Sequence, residues 1–228
     1  IGSAHLLGIT LPENFDSPYT ATSPQDFWRK WHISLSTWLR DYLYIPLGGS
    51  RNGPRVMFFA LMTTMLLGGL WHGASWNFVL WGLIHGLLLI IHRVVKQNNT
   101  VTSLYTSKPR IFTMMGWIVT QYFIFMTWLI FRLEDSSILI PALKSYIGIG
   151  SHWDTQEMLE HLPEIKFLTF GIAILFICGH LLSSKIGGFK HWISRQNPLV
   201  WGVLIGTMIG LSLTLRPAET ADFIYFRF

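Results

Sequence analysis

Nine histidines stand in this chain, and two occupy settings in which an imidazole can do chemistry. His72 lies in "GGLWHGASWNF", residues 68–78, within a run of 37 residues from Val56 to His92 that holds no Asp, Glu, Lys or Arg. His32 lies in "RKWHISLS", residues 29–36, among aromatic and basic side chains. A neutral imidazole near pH 7 can take the proton of an attacking hydroxyl, a role worth about 10²–10⁴-fold in rate. Polar groups inside apolar membrane segments are costly, so they carry a functional reading by default. Position alone leaves a second reading of His72 open, in which it bonds to a carbonyl and closes a turn. His32, taken alone, reads more readily as an interfacial histidine than as a catalytic one.

Four other histidines read as packed or interfacial. His85, in "LIHG", falls on an expected helix and reads as packed or hydrogen-bonded, while His92, His180 and His191 lie near the ends of apolar segments. No H-E-x-x-H pair and no cysteine–histidine cluster is present, so a metal site is not expected. A serine-hydrolase elbow, G-x-S-x-G, is absent, and "GGSRNG" lacks the spacing of a phosphate-binding loop.

The elements that must position these imidazoles belong in a membrane. Half of the 228 residues are hydrophobic, 13% are charged, and the mean hydropathy is +0.39. Soluble domains carry about 25% charged residues, so this chain has roughly half the usual complement. Eleven Trp and 16 Phe fit membrane interfaces, where aromatic rings concentrate. The net charge of +5 comes from Lys and Arg placed singly or in pairs beside apolar segments, as on cytoplasmic membrane flanks. That distribution excludes nucleic acid as a partner. The one cysteine, Cys178, sits in "FGIAILFICGH" and is expected to pack as a small buried apolar side chain.

About 20 apolar residues cross the hydrocarbon core as a helix, with a range of about 17–25. Segments 76–92, 111–131, 167–183 and 199–215 meet that rule, and 56–71 is marginal. If 56–71 and 76–92 form a hairpin, Arg51 and Arg55 share the cytoplasmic side with Arg93, Lys96, Lys108 and Arg110. Segment 111–131 then leads outward to a loop with Glu134, Asp135, Asp154, Glu157, Glu160 and Glu164, and 167–183 returns to Lys185, Lys190 and Arg195. The Trp71–Gly73 stretch falls at the far turn of the hairpin, where irregular backbone must be surrounded by protein or water.

Residues 23–46 form a different kind of element. Ser23, Pro24 and Asp26 make a helix start, and Phe27, Trp28, Trp31, Leu35, Trp38, Leu39 and Tyr42 recur at helical spacing. Arg29, Lys30, Ser36, Thr37 and Arg40 fall mainly on the other side, which suits an amphipathic or re-entrant helix in the interface that stops near Pro46.

Taken together, "DFWRKWHISLSTWLRDYLYIPLGGSR" and "LLGGLWHGASWNFVLWGLIHG" resemble the membrane-bound O-acyltransferase family, in the bacterial branch of the alginate O-acetylation membrane proteins. The resemblance is detailed over about residues 8–92 and looser through "TWLIFR" and "FIYFRF". It implies an all-α integral membrane fold, a multi-helix bundle around a tunnel, of which residues 1–228 look like the C-terminal part of a single domain. The opening of the chain, without an initiator methionine or a signal-peptide pattern, is expected to follow a missing N-terminal part, and activity of this part alone is doubtful.

The family's near-invariant histidine falls on His72, and its second characteristic polar position falls on His32. Both are expected to be catalytic by resemblance, with Trp71, Gly73, Ser75, Asn77, Trp31, Arg40 and Asp41 shaping the site or binding substrate. Asn77 is placed to donate to an acyl carbonyl. An apolar surround favours the neutral imidazole and excludes water that would hydrolyse the donor. The implied function is an inner-membrane, multi-pass O-acetyltransferase that binds no cofactor tightly. Acetyl-CoA or another acyl thioester is the expected donor. A periplasmic acetyltransferase is the expected partner, and an alginate-like exopolysaccharide the indirect acceptor. Peptidoglycan O-acylation or D-alanyl transfer is the enzymatic alternative, and a non-catalytic transporter or scaffold subunit is the alternative of another class.

Overall fold

The first helix starts as its sequence predicts. In the computed structural model of the chain, Ser23 Oγ accepts from the Asp26 amide at 3.1 Å, and Asp26 Oδ2 accepts from the Thr22 amide at 3.2 Å. With Pro24 in its first turn, α1 covers Pro24–Lys30. The structure describes residues 4, 6–133, 136–149, 171, 174–179, 182, 192–193 and 195–214, and every described element is helical or a turn.

The helix does not run on to Pro46. It ends at Trp31 in extended backbone, and His32 adopts a left-handed conformation, φ 44 and ψ 55, before α2, Ile33–Leu39, begins. A π-helical turn, Arg40–Tyr44, follows. The cause lies outside the segment. In a continuous helix the amides of Ile33 and Ser34 would bond four residues back. Here they donate to Asn14 O and Asn14 Oδ1 at 3.0 and 2.9 Å, while Lys30 O accepts from the Asp16 amide at 2.9 Å. The N-terminal loop takes over the hydrogen bonds of the missing turn. That loop is itself tied down, since Trp117 Nε1 donates to Tyr19 O at 2.8 Å and Gln121 Nε2 to Ala21 O at 3.1 Å.

Two helices make the central hairpin: α3, Pro54–Leu70, and α4, Trp76–Gln97, joined by residues 71–75. Glycines set their spacing. A Cβ on Gly82 would strike the Met65 carbonyl and one on Gly69 the Phe78 carbonyl, so the backbones touch as small-residue membrane interfaces do. Asn98 then caps α5, Asn99–Ser107, by accepting from the Thr100 and Val101 amides. α6 is Pro109–Arg132 and α7 is Ser136–Tyr146.

α4 and α6 have 22 and 24 residues, about 33 and 36 Å at 1.5 Å per residue, enough for a hydrocarbon core of about 30 Å. Leu83, Leu87 and Ile91 on α4, and Ile111, Ile118 and Phe125 on α6, are exposed, as lipid-facing side chains are. The core lies between α1, α4 and α6. Phe27 and Ile124 are buried with Trp31 and Trp128 against them, and Trp81 and Ile130 are buried beside Phe131.

The chain divides into two units, Ile1–Ala173 and Ile174–Phe228. Within the second, residues 174–179 are helical and α8 covers Pro198–Thr214, started by Asn197 Oδ1 accepting from the Val200 amide at 3.0 Å. Cys178, expected to be buried, is exposed among the described residues. The acidic loop residues from Glu134 to Glu164, His180, His191, the rest of segment 167–183 and the ending "FIYFRF" lie outside the described residues.

Candidate functional site

His72 sits in the five-residue link between α3 and α4. Its amide donates to Gly69 O at 3.0 Å, so the last turn of α3 delivers it, and Ser75 starts α4 by accepting from the Asn77 amide at 3.3 Å. Gly73 stands between them with φ 149, in the region that favours glycine, and a Cβ there would come within 2.8 Å of Phe78 Cε2. The chain can turn under the Phe78 ring only because Gly73 has no side chain.

Aromatic rings box the half-buried imidazole. Phe131 meets it edge-on at 4.9 Å between centroids, Trp81 at 5.5 Å, Trp71 at 4.9 Å, and Phe78 at a tilt at 6.0 Å. Trp81 and Phe78 come from α4 and Phe131 from the end of α6, so three elements fix one ring. Such contacts contribute about 0.5–1.5 kcal/mol each beyond their burial and leave no choice of orientation.

His32 reaches the same region from the helix break. Its left-handed backbone costs about 1–3 kcal/mol relative to ordinary conformations, a strain borne by the Asn14 hydrogen bonds. His32 Nδ1 is buried with no hydrogen-bond partner, and burial holds this imidazole below the ordinary histidine pKa. His32 and His72 lie close enough that a charge on one would oppose a charge on the other. An open, mainly apolar cleft of about 500 Å³ is lined by His32, Ser34, Leu35, Trp38, Leu67 and Trp71, with Leu39 and Leu43 completing it. With His32 in the wall of the cleft and His72 beside it, two imidazoles are available to accept a hydroxyl proton and to hydrogen-bond to a carbonyl oxygen.

The expected site residues divide accordingly. His32 and Trp71 line the cleft, His72 lies beside it, and Gly73 and Ser75 shape the link. Trp31, which precedes His32, packs into the core, stacked on Phe27 at 5.6 Å and beside Trp128 at 5.5 Å, and does not line the cleft. Asn77 requires a correction. It is 4% exposed and its Nδ2 donates to Leu133 O, so it pins α4 to the end of α6 rather than facing an acyl carbonyl. Arg40 and Asp41 pair with each other on the exposed π-helical turn, at 2.7 and 3.2 Å, and neither lines the cleft. The Arg40 hydrogen bond holds the Asp41 carboxyl below the usual carboxylate range.

The ring box is not foreseen in the sequence, whereas His85 is packed and hydrogen-bonded as its helical position leads one to expect. His85 is 1% exposed, accepts from Trp28 Nε1 through Nδ1 at 3.3 Å, and lies 4.5 Å from Trp81, which also meets His72. One signal was available: Asn77, Trp81 and His85 recur every four residues, a single face of α4. Among the described residues no cluster of His, Cys, Asp or Glu is suited to a metal ion.

Comparison with known proteins adds ancestry to this geometry. A peptidoglycan O-acetyltransferase of Helicobacter pylori is 41% identical over 100% of this chain and 45% of its own length. A probable alginate O-acetylase of Pseudomonas fluorescens is 46% identical over 76% of this chain and 33% of the relative. A teichoic acid D-alanyltransferase of Bacillus subtilis is 28% identical over 54% of this chain and 33% of the relative. The chain thus spans less than half the length of these curated relatives. The model of the membrane-bound O-acyltransferase family matches residues 1–134, which contain both site histidines. This chain, an all-α membrane protein, belongs to the membrane-bound O-acyltransferase family.

Proposed function

We propose that the chain is the C-terminal part of a multi-pass bacterial inner-membrane O-acetyltransferase, and that His72 and His32 are its catalytic pair. The observation that carries this reading is a pair of constrained imidazoles at one apolar cleft: His32, set by a strained helix break, lines the cleft with Trp71, and His72, the next residue, is fixed beside it by rings from α4 and α6. His72 takes the proton of the acceptor hydroxyl as its oxygen attacks the carbonyl of an acyl thioester such as acetyl-CoA. The new C–O bond forms, the C–S bond breaks, and the leaving thiolate recovers the proton from the imidazolium. His32 hydrogen-bonds to the carbonyl oxygen as charge develops there. Trp71 and the leucines of the cleft keep water from the thioester. In the whole protein, these elements would form part of a tunnel that passes acetyl groups from the cytoplasm to a periplasmic transferase.

The acceptor polymer has two candidates. Identity of up to 46% to alginate O-acetylases supports an alginate-like exopolysaccharide, and a match along the whole chain to a peptidoglycan O-acetyltransferase supports peptidoglycan. The test is His72→Ala in the full-length protein, with ester measured separately on secreted polysaccharide and on isolated peptidoglycan. Loss of ester from one polymer, at normal protein abundance, supports the reading and names the acceptor. Unchanged ester on both would remove it. Labelling from each side near Lys108 and Glu157 tests the topology, which is refuted if both sites are exposed on one face.

A further inference from the structure

The opposite end of α4 carries a cavity that the acyl-transfer reading does not use. It has a volume of about 420 Å³ and opens between α1, α3 and α4, with Leu61 and Leu89 as its apolar lining and Arg29, His92, Arg93, Lys96, Gln25 and Gln97 as its polar lining. Arg93 lies 17 residues along α4 from Trp76, about 26 Å at 1.5 Å per residue, which separates this cavity from the His72 turn.

Among the described residues three cations line it and no carboxylate does. Among the described residues the ion pairs are Lys30–Asp26 and Arg40–Asp41, and neither includes Arg29, Arg93 or Lys96. The chemistry of the surrounding elements explains why: from Tyr42 to Leu133 the sequence contains no Asp or Glu, so α3 to α6 offer no internal counter-ion. Arg93 Nε is buried and has no hydrogen-bond partner, a costly state for a charged donor. Basic residues at a membrane surface ordinarily extend singly toward headgroups. Here, two guanidinium groups from different helices share one cavity with an ammonium and two side-chain amides. The hydrogen bond from Trp28 to His85 fixes those helices together two turns away.

We propose that this cavity is a binding site for a phosphate group, presented by an anionic phospholipid headgroup or by a soluble phosphorylated molecule. Guanidinium forks match phosphate oxygens in pairs, and the glutamine amides supply further donors at no charge. The proposal is independent of the catalytic assignment of His72.

The test measures binding to the full-length protein in detergent micelles with two probes. Phosphatidylglycerol is compared with diacylglycerol, which lacks the phosphate, and adenosine 3′,5′-bisphosphate represents a soluble ligand. At least one phosphate probe is expected to bind, more weakly as salt rises. Arg29→Gln and Arg93→Gln should each weaken it about tenfold, with Arg110→Gln, outside the cavity, unchanged. Binding of the lipid alone or of the bisphosphate alone supports the site and names its source. Should Arg93→Gln fail to fold, Arg29→Gln and Lys96→Gln, both at exposed positions, carry the test. Binding of neither probe, or affinity unchanged in the arginine and lysine variants, overturns the proposal.

Discussion

Trp28→Phe tests the joint that holds α1, and with it His32, against α4. Trp28 Nε1 donates to His85 Nδ1 at 3.3 Å, and His85 is 1% exposed, so solvent cannot replace the lost donor. Phenylalanine keeps a ring near Trp81 and His85, which the indole meets edge-on at 5.8 and 5.2 Å. The main loss is therefore the hydrogen bond. At 3.3 Å it is long, and a neutral bond contributes about 1 kcal/mol, but an unmet buried acceptor costs about 1–3 kcal/mol. Destabilisation of about 1–3 kcal/mol is expected for Trp28→Phe. Adding His85→Phe removes the unmet acceptor, so the double variant should be about 1 kcal/mol more stable than the sum of the single changes predicts. The assay is a double-mutant cycle by reversible chemical unfolding of the full-length protein in micelles. A loss below about 0.5 kcal/mol for Trp28→Phe, or a cycle that is additive within about 0.3 kcal/mol, would refute the joint.

Further outcomes follow from the same geometry. Gly73→Ala places a Cβ against Phe78 at positive φ, so it should cost at least about 1 kcal/mol and displace His72, read as lowered unfolding energy together with lowered acyl transfer. Gly82→Leu should abolish the α3–α4 contact, with little folded protein recovered in size-exclusion profiles, because the obstacle is the Met65 carbonyl rather than a movable side chain. Burial lowers the pKa of His32, so the folded state binds fewer protons than the unfolded state below about pH 6.5. Its contribution is present above that pH and is lost as pH falls toward the folded value. His32→Gln should flatten the acidic slope of stability between pH 7 and 5, and an unchanged slope would contradict the burial.

The sequence made the helical hairpin legible through the charge-free run to His92, and the start of α1 through Ser23, Pro24 and Asp26. Both signals are local. The break at His32 was hidden because its cause is Asn14, in a separate loop whose carbonyl and side chain capture the Ile33 and Ser34 amides. The ring box was hidden for the same reason, since Phe131 reaches His72 only after α6 packs on α4. His72 and His32 are singled out as catalytic by resemblance rather than by spacing, and Asn77 shows the limit of that route. Its place beside the motif suggested an acyl contact, whereas burial and the Leu133 carbonyl made it a structural link.

Transfer of labelled acetyl groups by purified full-length protein, wild type against His72→Gln, tests the central claim most directly. The account predicts a fall of about 10²–10⁴-fold in rate for the variant, with abundance and unfolding energy close to wild type. A stable, abundant His72→Gln protein that transfers acetyl within about tenfold of the wild-type rate would contradict it.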